Sequence, residues 1–161
     1  MVAIIMYTKL EEPNVVQETD LQARVYKNAC NLLTLDDARE IVDGSLRQTS
    51  DGKSDTIVDG TASSSCTYSR RVTASKYPVY ANIQLQESNG AEARVGFEAA
   101  AGKFPLDIEG LGVRSYWNQE TAQLHVLKNE FWIMLSAGKG PLERQSPELS
   151  KQLAKRILER L

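Results

Sequence analysis

An α+β fold, an antiparallel sheet with helices packed on it, is what this sequence predicts. Three observations carry that expectation. In YPVYANIQLQES the alternation is clean: Val79, Ala81, Ile83 and Leu85 face inward, and Tyr80, Asn82, Gln84 and Gln86 face outward. The stretch from Gly110 to Ala137, GLGVRSYWNQETAQLHVLKNEFWIMLSA, reads as a Gly-rich entry followed by a β-hairpin. Two other segments, near Leu35–Val42 and Leu149–Leu161, carry apolar residues at helical spacing instead.

Residues 1–29 read as an N-terminal extension ahead of a single domain over residues 30–161. MVAIIMY is too short for a signal-peptide core and lacks a basic flank, so it is expected as an edge strand or packed arm. Pro13 breaks the run, and the irregular apolar spacing from Asn14 to Ala29 allows a short helix. In CNLLTLDDAREIVDG, Thr34 is placed as an N-cap with Asp36 and Asp37 in the first turn, where carboxylates favour the helix dipole. Leu35, Ala38, Ile41 and Val42 form its stripe, and Gly44 ends it. Residues 48–65, QTSDGKSDTIVDGTASSS, read as a long loop.

CTYSRRV follows as a strand with Cys66, Tyr68, Arg70 and Val72 on one face, and Pro78 opens the next strand, where a missing donor is tolerated. Ala91 to Phe104 is alanine-rich and reads as a helix with Ala93, Phe97, Ala100, Ala101 and Phe104 on one face. After a short strand over 113–117, a turn near Lys128-Asn129 pairs Val126 with Phe131, Leu124 with Ile133 and Ala122 with Leu135. Gln123, His125 and Leu127 then lie opposite Met134, Trp132 and Glu130. Ser146 caps a last helix with Pro147 in its first position and Leu149, Leu153, Ile157 and Leu161 as its stripe. The predicted order is α-β-β-α-β-β-β-α.

Composition narrows the function classes. At 161 residues the chain is long enough to bury a core without a metal. A net charge of -2 argues against nucleic-acid binding. No run approaches the roughly 18 apolar residues of a membrane span. Cys30 and Cys66 are separate buried thiols in a reducing compartment and a bridge in an oxidising one. Closing that loop stabilises the fold by about 3–4 kcal/mol on the chain-entropy estimate.

Candidate chemistry is sparse. His125 is the sole histidine, and no Gly-x-Ser-x-Gly elbow accompanies it. Asp51, Asp55 and Asp59 cluster in the polar loop but miss the EF-hand spacing, so no metal is expected. Ala137-Gly-Lys-Gly lacks the phosphate-loop spacing. No cofactor is expected either. Tyr80, Tyr116, Trp117 and Trp132, with His125, are the candidate binding surface. On an open sheet face they form a platform for a ligand; beneath a helix they are core. The basic residues of the last helix, Lys151, Lys155, Arg156 and Arg160, read as a solvated face.

CNLLTLDDAREIV, the lone CTYS, GLGVRSYWN with QLHVLKNEFWIML, and the closing LAKRILERL together point to a family. They resemble uncharacterised actinobacterial lipoproteins whose mature domain opens on a Cys-x-Leu-Leu-Thr motif, those of the 3558-type domain of unknown function. The resemblance runs from Cys30 to Leu161. It implies an envelope-located, two-layer α+β domain, with Cys30 and Cys66 as a disulfide pair and the Gly-Leu-Gly turn as a landmark. It implies no known chemistry. Such lipoproteins carry a signal peptide and a lipid-bearing cysteine, and no cysteine precedes Cys30 here. The expected location is extracytoplasmic if a signal peptide is missing from this chain, and cytoplasmic otherwise.

The expected function is accordingly a non-enzymatic, envelope-associated module that binds a small molecule or an envelope protein. Two alternatives differ in class: a small hydrolase or lyase using His125, and a cytosolic structural protein with reduced cysteines.

Overall fold

In the computed structural model, residues 26–50, 54–58, 61–72, 77–88, 91–102, 104–141 and 145–161 are described. The expected N-terminal strand and the side chains of Asp51, Asp55 and Asp59 lie outside that set, as does most of the segment expected to allow a short helix. The fold is α+β. The strands are β1 (Arg47–Gln48), β2 (Ser54–Val58), β3 (Thr61–Arg70), β4 (Val79–Ser88), β5 (Arg114–Asn118), β6 (Gln123–Lys128) and β7 (Phe131–Lys139). They pair antiparallel in the order β1-β3-β4-β7-β6-β5, and β2 also pairs with β3.

The inner face of the sheet supplies most of the core. Cys66, Tyr68, Ala81, Ile83, Leu85, Leu124, Val126, Ile133 and Leu135 are buried there because strand side chains alternate with period two. They pack under α1 (Ala29–Leu32), α2 (Leu35–Ile41) and α4 (Glu148–Leu158). β3 fastens α1 at three successive inward positions. Ser64 Oγ accepts from the Ala29 N–H at 3.1 Å, Cys66 is bridged to Cys30, and the Tyr68 hydroxyl donates to the Leu33 carbonyl at 2.6 Å.

α2 starts as its sequence dictates. Thr34 and Asp37 form a reciprocal capping box, each side chain accepting from the other's backbone N–H. α4 buries Leu153, Ala154 and Ile157 against β6 and β7. It begins at Glu148 with Pro147 as N-cap, one residue later than expected, and no side chain caps it.

The opposite face is covered only in part. α3 (Glu92–Ala101) packs Phe97 and Ala101 with Tyr116 of β5, Leu127 of β6 and Trp132 of β7, and its Ala93 N–H donates to Ser88 Oγ of β4, adding a partial third layer to the two-layer plan.

Three expectations need correction. Residues 48–65 are not one loop: β2 occupies 54–58, and β3 begins at Thr61, with inward Ala62 and Ser64 continuing the alternation of Cys66 and Tyr68. The inward residues are small or polar, so hydropathy hides the strand. The hairpin turn is Asn129-Glu130, not Lys128-Asn129; Leu124 pairs with Leu135, Val126 with Ile133 and Lys128 with Phe131. Asn129 does take positive φ, 54°, but as the first turn residue. The face assignments survive because the shift moves each pairing by two positions. Third, α1 precedes α2 and was not anticipated; Asn28 caps it by accepting from the Cys30 N–H.

Candidate functional site: a buried aromatic cluster beside an uncharged sheet face

Pairing across the outer face brings residues into rows. One row runs Ser65, Gln84, Met134, His125 and Tyr116 across β3, β4, β7, β6 and β5. The next runs Ser63, Gln86, Trp132, Leu127 and Arg114. The β5–β6 end of these rows lies under α3 and the segment after it, and α3 also reaches the end of β4, where the Ala93 N–H donates to Ser88 Oγ at 3.2 Å.

Under α3 sits an aromatic cluster. The Tyr116 ring stacks on His125 at 4.4 Å and on Phe104 at 5.4 Å, and Phe97 packs against Tyr116 and Trp132. Tyr116 is fully buried, and burial pushes its phenol up to about 12. Trp132 Nε1–H donates to His125 Nδ1 at 3.1 Å. Accepting at Nδ1 leaves the proton of a neutral imidazole on Nε2, which has no hydrogen-bond partner among the described residues. Burial lowers the His125 pKa to about 4, so the ring is neutral near pH 7. Its one lone pair is taken by Trp132. In this arrangement His125 is a hydrogen-bond donor, not a general base.

Beyond Trp132 the outer face continues across β7, β4 and β3. Three-residue rows cross β3, β4 and β7: Ser63-Gln86-Trp132, Ser65-Gln84-Met134, Thr67-Asn82-Ser136 and Ser69-Tyr80-Gly138. Most are half-buried, Gln84 is exposed, and Ser136 and Gly138 are buried. Antiparallel sheets tolerate water on one face, which explains the amides and hydroxyls. None of these twelve positions carries a charge, but the last row continues across β1 to the exposed Arg47, the partner of Ser69. Asn82 Nδ2 donates to Thr67 Oγ1 at 2.7 Å across the strands.

Both aromatic residues on this face are held. Trp132 lies so close beneath Gly96 that a Cβ there would come within 2.9 Å of its ring. The Tyr80 hydroxyl donates to Gln145 Oε1 at 2.9 Å, and Gln145 in turn donates to the Gly140 carbonyl and crosses Gly138.

The five candidate surface residues therefore do not share one surface. Tyr116 and His125 are core residues under α3, while Trp132 forms the border of the open face and Tyr80 its far end. Trp117 points the other way. Adjacent strand residues face opposite sides, and Trp117 packs on the inner core and lines a concavity of about 380 Å³ with Phe104, Pro105 and Ile108. A second concavity, about 560 Å³ over Asp107 to Arg114, is lined by Asp107, Glu109 and Arg114, of which Arg114 lies 3.7 Å from Asp107. Sequence reasoning missed Thr67, Asn82, Gln84 and Gln86 as a joint surface. The outward alternation of β4 was legible; its alignment with β3 and β7 was not.

The Cys30–Cys66 pair is bridged. No described helix is long and apolar enough to cross a membrane. Comparison of the chain with protein-family models, with curated proteins and with solved structures found no match in any of the three.

Proposed function

We propose that the chain is a non-enzymatic binding module of an oxidising, extracytoplasmic compartment at the cell envelope, which engages its ligand or partner through the open half of the sheet. The observation that carries this reading is the polar outer face on β3, β4 and β7, which among the described residues α3 covers in part and which is charged only at its β1 edge, by Arg47. The disulfide supports the compartment, because reducing cytosol keeps thiols apart. The resemblance to envelope lipoproteins leans the same way. The engaged lone pair of His125 gives the hydrolase alternative no support.

The test has two arms. Thiols are trapped in cells of the native host and the intact protein is weighed without reductant; a quantitative bridge is expected, and two free thiols overturn the compartment. Wild type and Gln84→Arg are then incubated with host envelope fractions. Binding by the wild type that the variant loses is expected, while equal binding by both rules out the open face.

A further inference from the structure

The buried residues divide into two clusters. The larger packs on the inner face of the sheet with α1, α2 and α4, and Cys66 of the bridge belongs to it. The smaller lies on the outer face and joins Phe97 and Ala101 of α3 to Tyr116 and Leu127, with Phe104 and Trp132 against it. The sheet stands between the two, so α3 can come away while the larger core stays packed. Units of this kind open at a lower free energy than the whole fold.

His125 is built into the smaller cluster. It is 5% exposed, with its ring centroid 4.4 Å from that of Tyr116 and 5.8 Å from that of Trp132. Among the described residues, its hydrogen bond is the one that Nδ1 accepts from the Trp132 indole, and Nε2 has no partner. A proton on Nδ1 turns that acceptor into a donor and sets it against the indole N–H. No new bond at Nε2 offsets the loss.

The groups around the ring offer an imidazolium no counter-charge. Tyr116, pushed up to about 12, stays neutral in acid. Arg114 of β5 is itself a cation, and Glu98 of α3 and Asp107 lie 3.8 and 3.7 Å from it, each half or more exposed. Glu92 and Arg94 of α3 are exposed as well. Gln123 and Leu127 on β6 and Trp132, Met134 and Ser136 on β7 carry no charge. Water is what stabilises the charged ring, and α3 with the segment after it keeps water away.

We propose that α3 is an acid-released flap: protonation of His125 breaks its hydrogen bond with Trp132 and favours an opening in which α3 leaves the outer face of β5, β6 and β7 while the disulfide-bonded core stays folded. Opening bares Tyr116 and Leu127 and frees Trp132. The device depends on neither the compartment nor the ligand proposed above.

Amide exchange of the disulfide-intact protein in sub-denaturing urea, corrected for the intrinsic rate at each pH, is the test. Amides of residues 95–101 are expected to be less protected than those of β4 and α4. Their urea dependence should be weaker, because local opening exposes less surface than unfolding. Between pH 7 and pH 5 their opening is expected to rise about twentyfold, the ratio set by a pKa of 6.5 in the open form against about 4 in the closed one. His125→Gln can still accept from Trp132 but does not titrate, and its opening should be flat over that range. An equal rise in His125→Gln, or no rise in the wild type, overturns the role of His125. Amides of α3 that share the protection and urea dependence of β4 and α4 at pH 5 overturn the flap. The wild-type measurements decide both points if the variant does not fold.

Discussion

The carboxylate of Asp37 is gripped at both oxygens by the guanidinium of Arg160, at 2.6 and 2.9 Å across 123 positions of sequence. The same guanidinium donates to the Leu32 carbonyl, so one side chain beyond α4 ties down both α1 and α2. Burial opposes the charge on Asp37, but the hydrogen bonds from Arg160 and Thr34 outweigh it and hold the pKa at about 2. Asp37→Asn keeps the shape and removes the charge. It is expected to cost roughly 2–3 kcal/mol in urea denaturation, less than a fully buried pair because the Arg160 side chain is 35% exposed. A loss under about 0.5 kcal/mol, the scale of an ordinary surface change, would show the pair to be incidental.

Two titrations give the protein an acid response in separate windows. His125 falls from 6.5 to about 4 on folding, so the unfolded chain binds the proton more tightly. Stability is full above pH 6.5 and declines as pH drops towards 4, by roughly 3 kcal/mol for the full shift. Asp37 is also depressed, from 3.8 to about 2, and its contribution is lost only as pH falls from 3.8 through 2. His125→Phe is expected to flatten the upper window while leaving the lower one, at a cost near neutral pH from the orphaned Trp132 N–H. A wild-type stability profile flat between pH 6.5 and 4 contradicts the assignment to His125.

The contrast between legible and hidden features has a physical basis. β4 was readable because its inward residues are large and its outward ones polar, and α2 because Thr34 and Asp37 sit three apart at its start. The start of β3 was hidden: Ala62 and Ser64 are inward yet too small or polar to register. The hairpin turn was misplaced by one because Asn129 suits either turn position. Tyr116 and Trp117 look alike in the sequence as aromatic candidates, yet as neighbours on β5 they face opposite sides of the sheet. Only pairing register joins Thr67, Asn82 and Ser136, and only tertiary packing joins Asp37 to Arg160. Neither leaves a local trace in the chain.

The bridge anchors the short α1 to the centre of β3, with Cys66 fully buried. α1 is a single turn, too short to persist alone. With the cysteines 36 positions apart, chain entropy sets the contribution of the bridge at about 4 kcal/mol. Reduction, or Cys30→Ser with Cys66→Ser, is expected to lower unfolding free energy by about that amount. Amide exchange should accelerate first over residues 28–33, while β6 and β7 stay protected. Uniform acceleration through the sheet would mean that the bridge holds the whole fold and not its α1 edge.

Gly96 is the least helix-favouring residue in the body of α3, and alanine there should gain about 1 kcal/mol from propensity alone. The expected outcome is the reverse. A Cβ at this position meets the Trp132 ring at 2.9 Å, so either α3 lifts or the indole tilts away from His125. Overpacking of this kind typically costs about 1–3 kcal/mol. Gly96→Ala is therefore expected to destabilise the protein and to red-shift tryptophan emission as Trp132 gains water. In a Trp132→Leu background the obstruction is gone, and the same substitution should become neutral or stabilising. The double-mutant cycle reads the coupling directly. Equal effects of Gly96→Ala in both backgrounds would separate α3 from Trp132 and remove the support that fixes the aromatic border of the open face.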